Sequence, residues 1–185
     1  EEDADKGPED LIQEADAAMY RAKESGRARA QIFGQAIQEK MVRRLEVERE
    51  LHLAIERDEL TVAYQPLVDL ANGDLVGFEA LVRWQHPEKG LLMPDDFVPI
   101  AEESELIRKV DTWVLRQAIA QAAAWNETRP DDRRISISVN CSARQIRGEG
   151  FTDLVAGLLA EHSFPPELLT IELTETVLLA GTEQV

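Results

Sequence analysis

Hydrophobic and polar residues follow a helical period in the first third of the chain and mixed periods after it. Apolar residues recur at helical spacing over residues 11–23 and 35–57, which predicts two helices. After residue 59, runs with a period of two alternate with helical runs, and Asn72-Gly73 is typical of a hairpin turn. This alternation predicts an α/β fold with a parallel sheet. The expected strands are residues 60–67, 74–84, 134–140 and 168–173, and the expected helices among them are residues 97–103, 107–126 and 151–162.

The second strand carries two charges on one face. Its period of two places Glu79 and Arg83 on the same side, and apolar residues occupy most of the other positions. Breaking a buried ion pair costs about 3–5 kcal/mol, so each charge needs a partner: the other charge, a metal or an anionic ligand. A buried Glu79–Arg83 ion pair, or two solvent-facing charges on an edge strand, is the structural alternative.

Two later strands also place oxygen-bearing side chains opposite their aliphatic face. The last such residue is Asn140 in residues 134–140 and Glu172 in residues 168–173. In a β/α barrel the active site gathers at the C-terminal ends of the strands. Glu79, Asn140 and Glu172 are hard oxygen donors, which suit Mg²⁺, Mn²⁺ or Ca²⁺. The alternative is that Asn140 caps the following turn and Glu172 begins a helix.

Composition narrows the class of partner. The net charge of −16 argues against a nucleic-acid polymer, which calls for a basic patch. No apolar run approaches the roughly 18 residues of a membrane span. Cys141 is the single cysteine, so we expect a reducing, cytoplasmic location for this chain, although a parent protein is free to carry an anchor elsewhere. Cys141 is expected to be a buried thiol, His86 a turn residue, and the three tryptophans packing residues.

From about residue 51 onward the sequence resembles the EAL-type phosphodiesterases, bacterial domains that hydrolyse the second messenger cyclic di-GMP. The segments that carry the resemblance are Tyr64-Gln65-Pro66, Gly77-Phe78-Glu79-Ala80-Leu81-Val82-Arg83-Trp84, His86-Pro87, Gly90, Pro94, Phe97, Pro99, Ala101-Glu102, Val139-Asn140, Ser142 and Glu172-Leu173-Thr174-Glu175. The resemblance implies a TIM-like β/α barrel and two-metal hydrolysis of cyclic di-GMP to the linear dinucleotide pGpG.

The resemblance also assigns roles to individual residues. Glu79, Asn140 and Glu172 match the ligands of catalytic Mg²⁺ or Mn²⁺, with Ca²⁺ expected to permit binding and to inhibit hydrolysis. Glu79 and Glu175 are the expected catalytic residues, and Glu175 matches a residue that steadies a loop near the metals.

Three further positions match the family's substrate site. Arg83 corresponds to a residue that contacts the substrate phosphate, a role that suits a guanidinium fork. Gln65 and Leu81 correspond to positions that line the substrate site.

The N-terminal region resembles another family. Residues 15–23, followed by Gly26-Arg27, are similar to the closing helix of a GGDEF-type diguanylate cyclase domain, whose signature loop is not in this chain. The expected organisation is therefore a GGDEF-like remnant at residues 1–34, a helical linker at 35–50 and the N-terminal part of an EAL-like domain at 51–185.

The expected barrel is partial. Residues 51–185 are a little over half of the about 250 residues that such a barrel needs. The family's later Asp-Asp, Lys and Glu positions are absent, so we expect a fragment of a phosphodiesterase that is inactive alone. A homodimer that pairs the open sheet edges is a further expectation. The alternative function is a non-catalytic EAL-like module that binds cyclic di-GMP or a protein partner as a signalling or dimerisation element.

Overall fold

The computed structural model describes residues 35–173, together with residues 14, 15, 17 and 19, which are helical. The other residues of the expected helix at 11–23, and Glu175, lie outside the described residues. The chain divides into two compact units, Glu1–Glu46 and Val47–Val185. The boundary falls within helix α1 (Gln35–Glu56), whose extent agrees with the predicted helix at residues 35–57.

Five strands form one mixed sheet in the second unit. They are β1 (Leu60–Val68), β2 (Leu75–His86), β3 (Gly90–Leu92), β4 (Ser136–Cys141) and β5 (Leu169–Leu173). The order is β1-β2-β4-β5, and the short β3 pairs with the end of β2. β1 lies antiparallel to β2, whereas β2, β4 and β5 run parallel. The predicted α/β class with parallel strands is confirmed, and the arrangement is that of a partial TIM-like barrel.

Helices connect the parallel strands. They are α2 (Pro94–Glu103), α3 (Ile107–Asn126), α4 (Ala143–Ile146) and α5 (Phe151–Glu161), with 3₁₀ turns at Asp131–Arg133 and Pro166–Leu168. The bounds of α3 agree with the prediction. The pattern did not predict β3 or α4, because three or four residues are too few to show a period.

The core lies between the sheet and the helices. Trp84, Ile137 and Val139 project from the strands and, with Leu115 and Ile119 of α3, are fully buried. Burial of one such side chain stabilises the fold by about 1.5–3 kcal/mol. The alternate strand positions that are buried are the ones predicted to form the aliphatic face. The opposite face of the sheet is therefore left for polar side chains.

Two groups of aromatic side chains pack together between the strands and the helices. The Trp125 ring of α3 lies 4.8 Å from the Tyr64 ring and 4.6 Å from the Phe78 ring, measured between centroids. Trp84 packs edge-on against Phe97, with centroids 5.7 Å apart. The prediction that these tryptophans serve packing is confirmed, and Trp113 also packs against the core.

The approach of β2 to β4 depends on a glycine. A Cβ atom at Gly77 would lie 2.8 Å from the backbone oxygen of Ser136, closer than real Cβ contacts allow. Ser136 Oγ donates a hydrogen bond to the Val76 carbonyl at 3.1 Å. This close approach sets the register of the two strands that carry Glu79 and Asn140.

Candidate active site

The strand register brings the predicted site residues onto one face of the sheet. Gln65 pairs with Glu79 across β1 and β2, and Glu79 pairs with Ser138 across β2 and β4. Asn140 pairs with Glu172 across β4 and β5. Directly paired residues project to the same side of a sheet, and residues two apart on a strand share that side. All of these side chains therefore project away from the helix-packed core.

Glu79 lies near the C-terminal limit of the parallel ladder. β2 and β4 pair from Gly77 to Ala80, so Glu79 occupies the last pair but one, although β2 itself continues to His86. Asn140 and Glu172 each lie one residue before the end of their strands. The three residues consequently gather at the end of the sheet where β/α barrels hold their active sites.

One hydrogen bond joins two of the predicted metal ligands. Asn140 Nδ2 donates to Glu79 Oε1 at 2.8 Å. A carboxylate only accepts hydrogen bonds, so the amide must turn its NH₂ group toward Glu79. Asn140 Oδ1 is then turned away from Glu79 and accepts no hydrogen bond within residues 35–173. The alternative that Asn140 caps the following turn is wrong, because Ser142 is the N-cap of α4.

Glu172 completes the group from the neighbouring strand. It is half-buried and lies within β5, so the alternative that it begins a helix is wrong for this structure. Adjacent strands are about 4.8 Å apart, which places the backbones of β2 and β5 about 10 Å apart with Asn140 between them. Among the described residues, no three or more His, Cys, Asp or Glu side chains form a group that could hold a metal ion. The site is instead two carboxylates with an amide between them.

Arg83 is a half-buried cation on the same face. Its Nη1 donates to the Val82 carbonyl at 2.8 Å. Arg83 lies four positions after Glu79 along β2, a backbone distance of about 13 Å. No carboxylate lies within ion-pair distance of Arg83 in the part of the chain that the structure describes. The alternative of a Glu79–Arg83 ion pair is therefore wrong, and the guanidinium keeps donors for another partner.

The two proposed substrate-lining positions flank these charges. Leu81 is half-buried on the same face of β2, opposite Ala63 of β1. Gln65 is exposed beside Glu79 on β1. The face thus combines oxygen donors, a guanidinium, an amide and an aliphatic side chain.

A buried polar network next to Asn140 was missed by the sequence analysis. Asp111 Oδ2 accepts hydrogen bonds from the Ser142 backbone N–H at 3.0 Å and from the Ser142 hydroxyl at 2.6 Å. Burial raises the pKa of Asp111 to about 6, although the two bonds from Ser142 lower it. The Ser-x-x-Gln spacing of Ser142 and Gln145 is a helix-start signal that was available. Nothing in the local pattern indicates the Asp111 contact.

The predicted roles of Cys141 and His86 are confirmed. Cys141 is 1% exposed, and burial raises the pKa of its thiol to about 12. His86 Nδ1 accepts from the backbone N–H groups of Glu88 and Lys89 at 3.1 Å each, so the ring stabilises the β2–β3 turn. The Glu50 carboxylate contacts His86 Nε2 at 3.1 Å and Lys89 Nζ at 2.6 Å, and the Lys89 contact lowers the pKa of Glu50.

Comparison with known proteins gives a consistent result. Residues 48–185 match the family described as the EAL domain. An uncharacterized signaling protein of Caulobacter vibrioides is 42% identical over 170 residues, which are 92% of this chain and 20% of that protein. The bifunctional diguanylate cyclase/cyclic di-GMP phosphodiesterase MucR of Pseudomonas aeruginosa is 38% identical over 174 residues, 94% of this chain and 25% of MucR.

A solved structure shares the same arrangement. The PaMucR phosphodiesterase in complex with c-di-GMP superposes with a TM-score of 0.68 at 37% identity, covering 75% of this chain and 55% of that chain. This chain spans about a fifth to just over a quarter of the length of the curated relatives it matches. Within the described part of the chain, no helix has the length and hydropathy needed to cross a membrane.

Proposed function

Because this chain belongs to the EAL domain family, we propose that it is part of a metal-dependent phosphodiesterase that hydrolyses cyclic di-GMP to linear pGpG. The observation that carries the proposal is the face shared by Glu79, Asn140 and Glu172, with an Arg83 guanidinium that has no acidic partner in residues 35–173. The named activities of MucR, a relative, support the proposed substrate.

The donor set fits a hard divalent cation. Two carboxylates and an amide carbonyl are the ligands that Mg²⁺ or Mn²⁺ takes in proteins, and no thiolate or imidazole is among them. Glu79 and Glu172 supply the negative charge, and the bond from Asn140 Nδ2 leaves Asn140 Oδ1 as a third donor. Bound ions of this kind lower the pKa of a water and stabilise charge on a transferring phosphoryl group.

The other residues of the face are proposed to bind and orient the dinucleotide. The Arg83 guanidinium donates to a phosphate oxygen, since its fork geometry matches that anion and no carboxylate competes for it in the described chain. Leu81 supplies an apolar wall beside the reacting phosphate, and Gln65 supplies amide donors and acceptors next to Glu79. Glu175, which lies outside the described residues, is proposed to steady a loop near the metals.

The activity is proposed for a longer protein that contains this chain. The superposed 75% of this chain covers 55% of the PaMucR phosphodiesterase chain, so we expect turnover to need residues from the remaining part of the domain. Retention of both Glu79 and Asn140 favours an enzyme over a purely binding module.

Residues 1–34 are proposed to be the C-terminal remnant of a GGDEF-type cyclase domain, with residues 35–50 as a helical linker. The alignment to MucR supports this organisation, because it covers 94% of the chain and so extends upstream of the EAL match at residue 48. We also propose a cytoplasmic location for this chain. A homodimer that forms through the open sheet edge is a further proposal.

The test is a pair of calorimetric titrations on the protein that contains the complete domain. Mn²⁺ is titrated first, and cyclic di-GMP is then titrated in Ca²⁺. Glu79→Gln is expected to abolish measurable Mn²⁺ binding. Glu59→Gln is the matched control, because Glu59 is also half-buried but accepts from Trp84 Nε1 at 3.2 Å, away from the site. Equal Mn²⁺ affinity in both variants would overturn the proposal.

A further inference from the structure

Helix α3 holds the turn that follows Asn140 through a buried carboxylate. Asp111 is 6% exposed, and its Oδ2 accepts both hydrogen bonds that Ser142 offers, from the backbone N–H and from the hydroxyl. No Lys, Arg or His among the described residues lies within ion-pair distance of Asp111. Burial of an unpaired carboxylate is costly. The contact therefore needs an explanation beyond packing.

Capping of α4 does not require this carboxylate. Ser142 Oγ already accepts from the Gln145 backbone N–H at 3.2 Å, which is the ordinary action of an N-cap serine. What Asp111 adds is a link from that cap to α3. Gln145 Nε2 adds a second link by donating to Thr112 Oγ1 at 3.1 Å. The start of α4 is consequently tied at two adjacent positions of α3.

This link ends two residues after Asn140. The strand β4 stops at Cys141, so the position of Ser142 sets the direction in which the end of the strand leaves the sheet. The Asn140 amide is held beside Glu79 by its bond to Oε1, so the position of the strand end decides where the amide oxygen lies. A shift of Ser142 moves Asn140 along with it, because one peptide unit separates the strand end from the cap.

We propose that Asp111 is a positioning residue: through Ser142 it fixes the C-terminal end of β4, and with it the place of the Asn140 side chain between Glu79 and Glu172, for cation binding. This inference rests on the function proposed above. Partners that orient metal ligands typically contribute 10- to 100-fold in metal affinity. Asp111 contacts Ser142 and not a proposed metal ligand itself, so its loss is expected to change the metal affinity by about 10-fold, the lower end of this range.

The same helix supplies a matched control at the other end of β4. The Asn126 side chain is buried, donates to the Ile135 carbonyl at 2.9 Å and accepts from the Ile135 N–H at 2.9 Å. Asn126 and Asp111 are thus two buried side chains of α3, each with two hydrogen bonds to the segment around β4. Ile135 lies five residues from Asn140, about 17 Å along an extended strand. Loss of Asn126 perturbs stability without reaching the site.

The experiment compares Asp111→Ala, Asp111→Asn and Asn126→Ala by Mn²⁺ titration calorimetry and by thermal unfolding, in the protein that contains the complete domain. Asp111→Ala is expected to raise the Mn²⁺ Kd by about 10-fold, and saturating Mn²⁺ is expected to restore kcat. Asp111→Asn keeps an acceptor for Ser142 and is expected to recover most of the affinity. Asn126→Ala is expected to lower the Tm with an unchanged Mn²⁺ Kd.

Two results would overturn the inference. One is an equal change of Mn²⁺ Kd in Asp111→Ala and Asn126→Ala; the other is a lowered Tm in Asp111→Ala with an unchanged Kd. If Asp111→Ala does not fold, Ser142→Ala perturbs the same link more mildly, and an unchanged Kd there has the same meaning. Glu79→Gln in the same titration separates the two proposals. Loss of Mn²⁺ binding in Glu79→Gln alone refutes only the role of Asp111, and retention in both variants refutes the site itself.

Discussion

Replacement of Arg83 by alanine is expected to separate the proposed nucleotide binding from the proposed metal binding. In residues 35–173 the guanidinium donates to the Val82 carbonyl and contacts none of Glu79, Asn140 and Glu172. Its removal costs the fold about one hydrogen bond, worth roughly 1 kcal/mol. A charge-assisted bond to a phosphate is worth about 1.5–3 kcal/mol. The affinity for cyclic di-GMP is therefore expected to fall by about 10- to 150-fold.

The assay is calorimetric titration of cyclic di-GMP in Ca²⁺, which is expected to allow binding without hydrolysis, after a separate titration of Mn²⁺. Arg83→Ala is expected to keep the Mn²⁺ affinity of the unmodified protein. Arg83→Lys keeps the charge and loses the fork, so its nucleotide affinity is expected to be intermediate.

Arg116→Ala is the matched control for charge. The Arg116 side chain is exposed on α3 and lies 3.8 Å from Glu161, on the helix side of the sheet. Its nucleotide affinity is expected to stay unchanged. If Arg83→Ala loses Mn²⁺ affinity as severely as Glu79→Gln does, the two charges act as a structural unit and the phosphate role is refuted.

Three further predictions concern stability, reactivity and completeness. Burial raises the folded pKa of Asp111 to about 6 from its ordinary 3.8. The protonated carboxyl therefore contributes its full stability below pH 3.8, and this contribution is lost as the pH rises through 6. Glu102 and the Cys141 thiol also face this group. Urea unfolding should therefore show the protein losing about 2.5 kcal/mol relative to Asp111→Asn between pH 4 and pH 7, and a constant difference would contradict this. Cys141 should react with a thiol reagent only on unfolding, and rapid labelling of the folded chain would show that the strand end opens. Residues 1–185 alone should show no substantial turnover of cyclic di-GMP, whereas robust Mg²⁺-dependent hydrolysis by this chain would show that the remainder of the domain is dispensable.

The face of each strand was predictable because it depends on local periodicity. Alternation along the chain correctly separated Ile137 and Val139, which pack on α3, from Asn140 on the opposite face. The same rule placed Glu79 and Arg83 together on one side of β2. Each of these assignments needs only the parity of a strand, which neighbouring residues specify.

Contacts between distant segments were not predictable in this way. Asp111 and Ser142 are 31 residues apart, and their bond depends on how α3 packs against β4. The direction of the Asn140 amide depends on the register that pairs Glu79 with Ser138. Register and helix packing are properties of the folded sheet, so a single sequence indicates the residue types of the site but not their hydrogen bonds.

The central claim is that Glu79, Asn140 and Glu172 hold the cations with which the complete domain hydrolyses cyclic di-GMP. The most direct measurement is chromatographic detection of pGpG from cyclic di-GMP, with and without Mg²⁺ or Mn²⁺, for the protein that contains the complete domain and for its Glu79→Gln and Glu59→Gln variants. Metal-dependent formation of pGpG is expected for the unmodified protein and for Glu59→Gln, and it is expected to disappear in Glu79→Gln. Undiminished pGpG formation by Glu79→Gln, or hydrolysis that proceeds in a metal chelator, would contradict the claim.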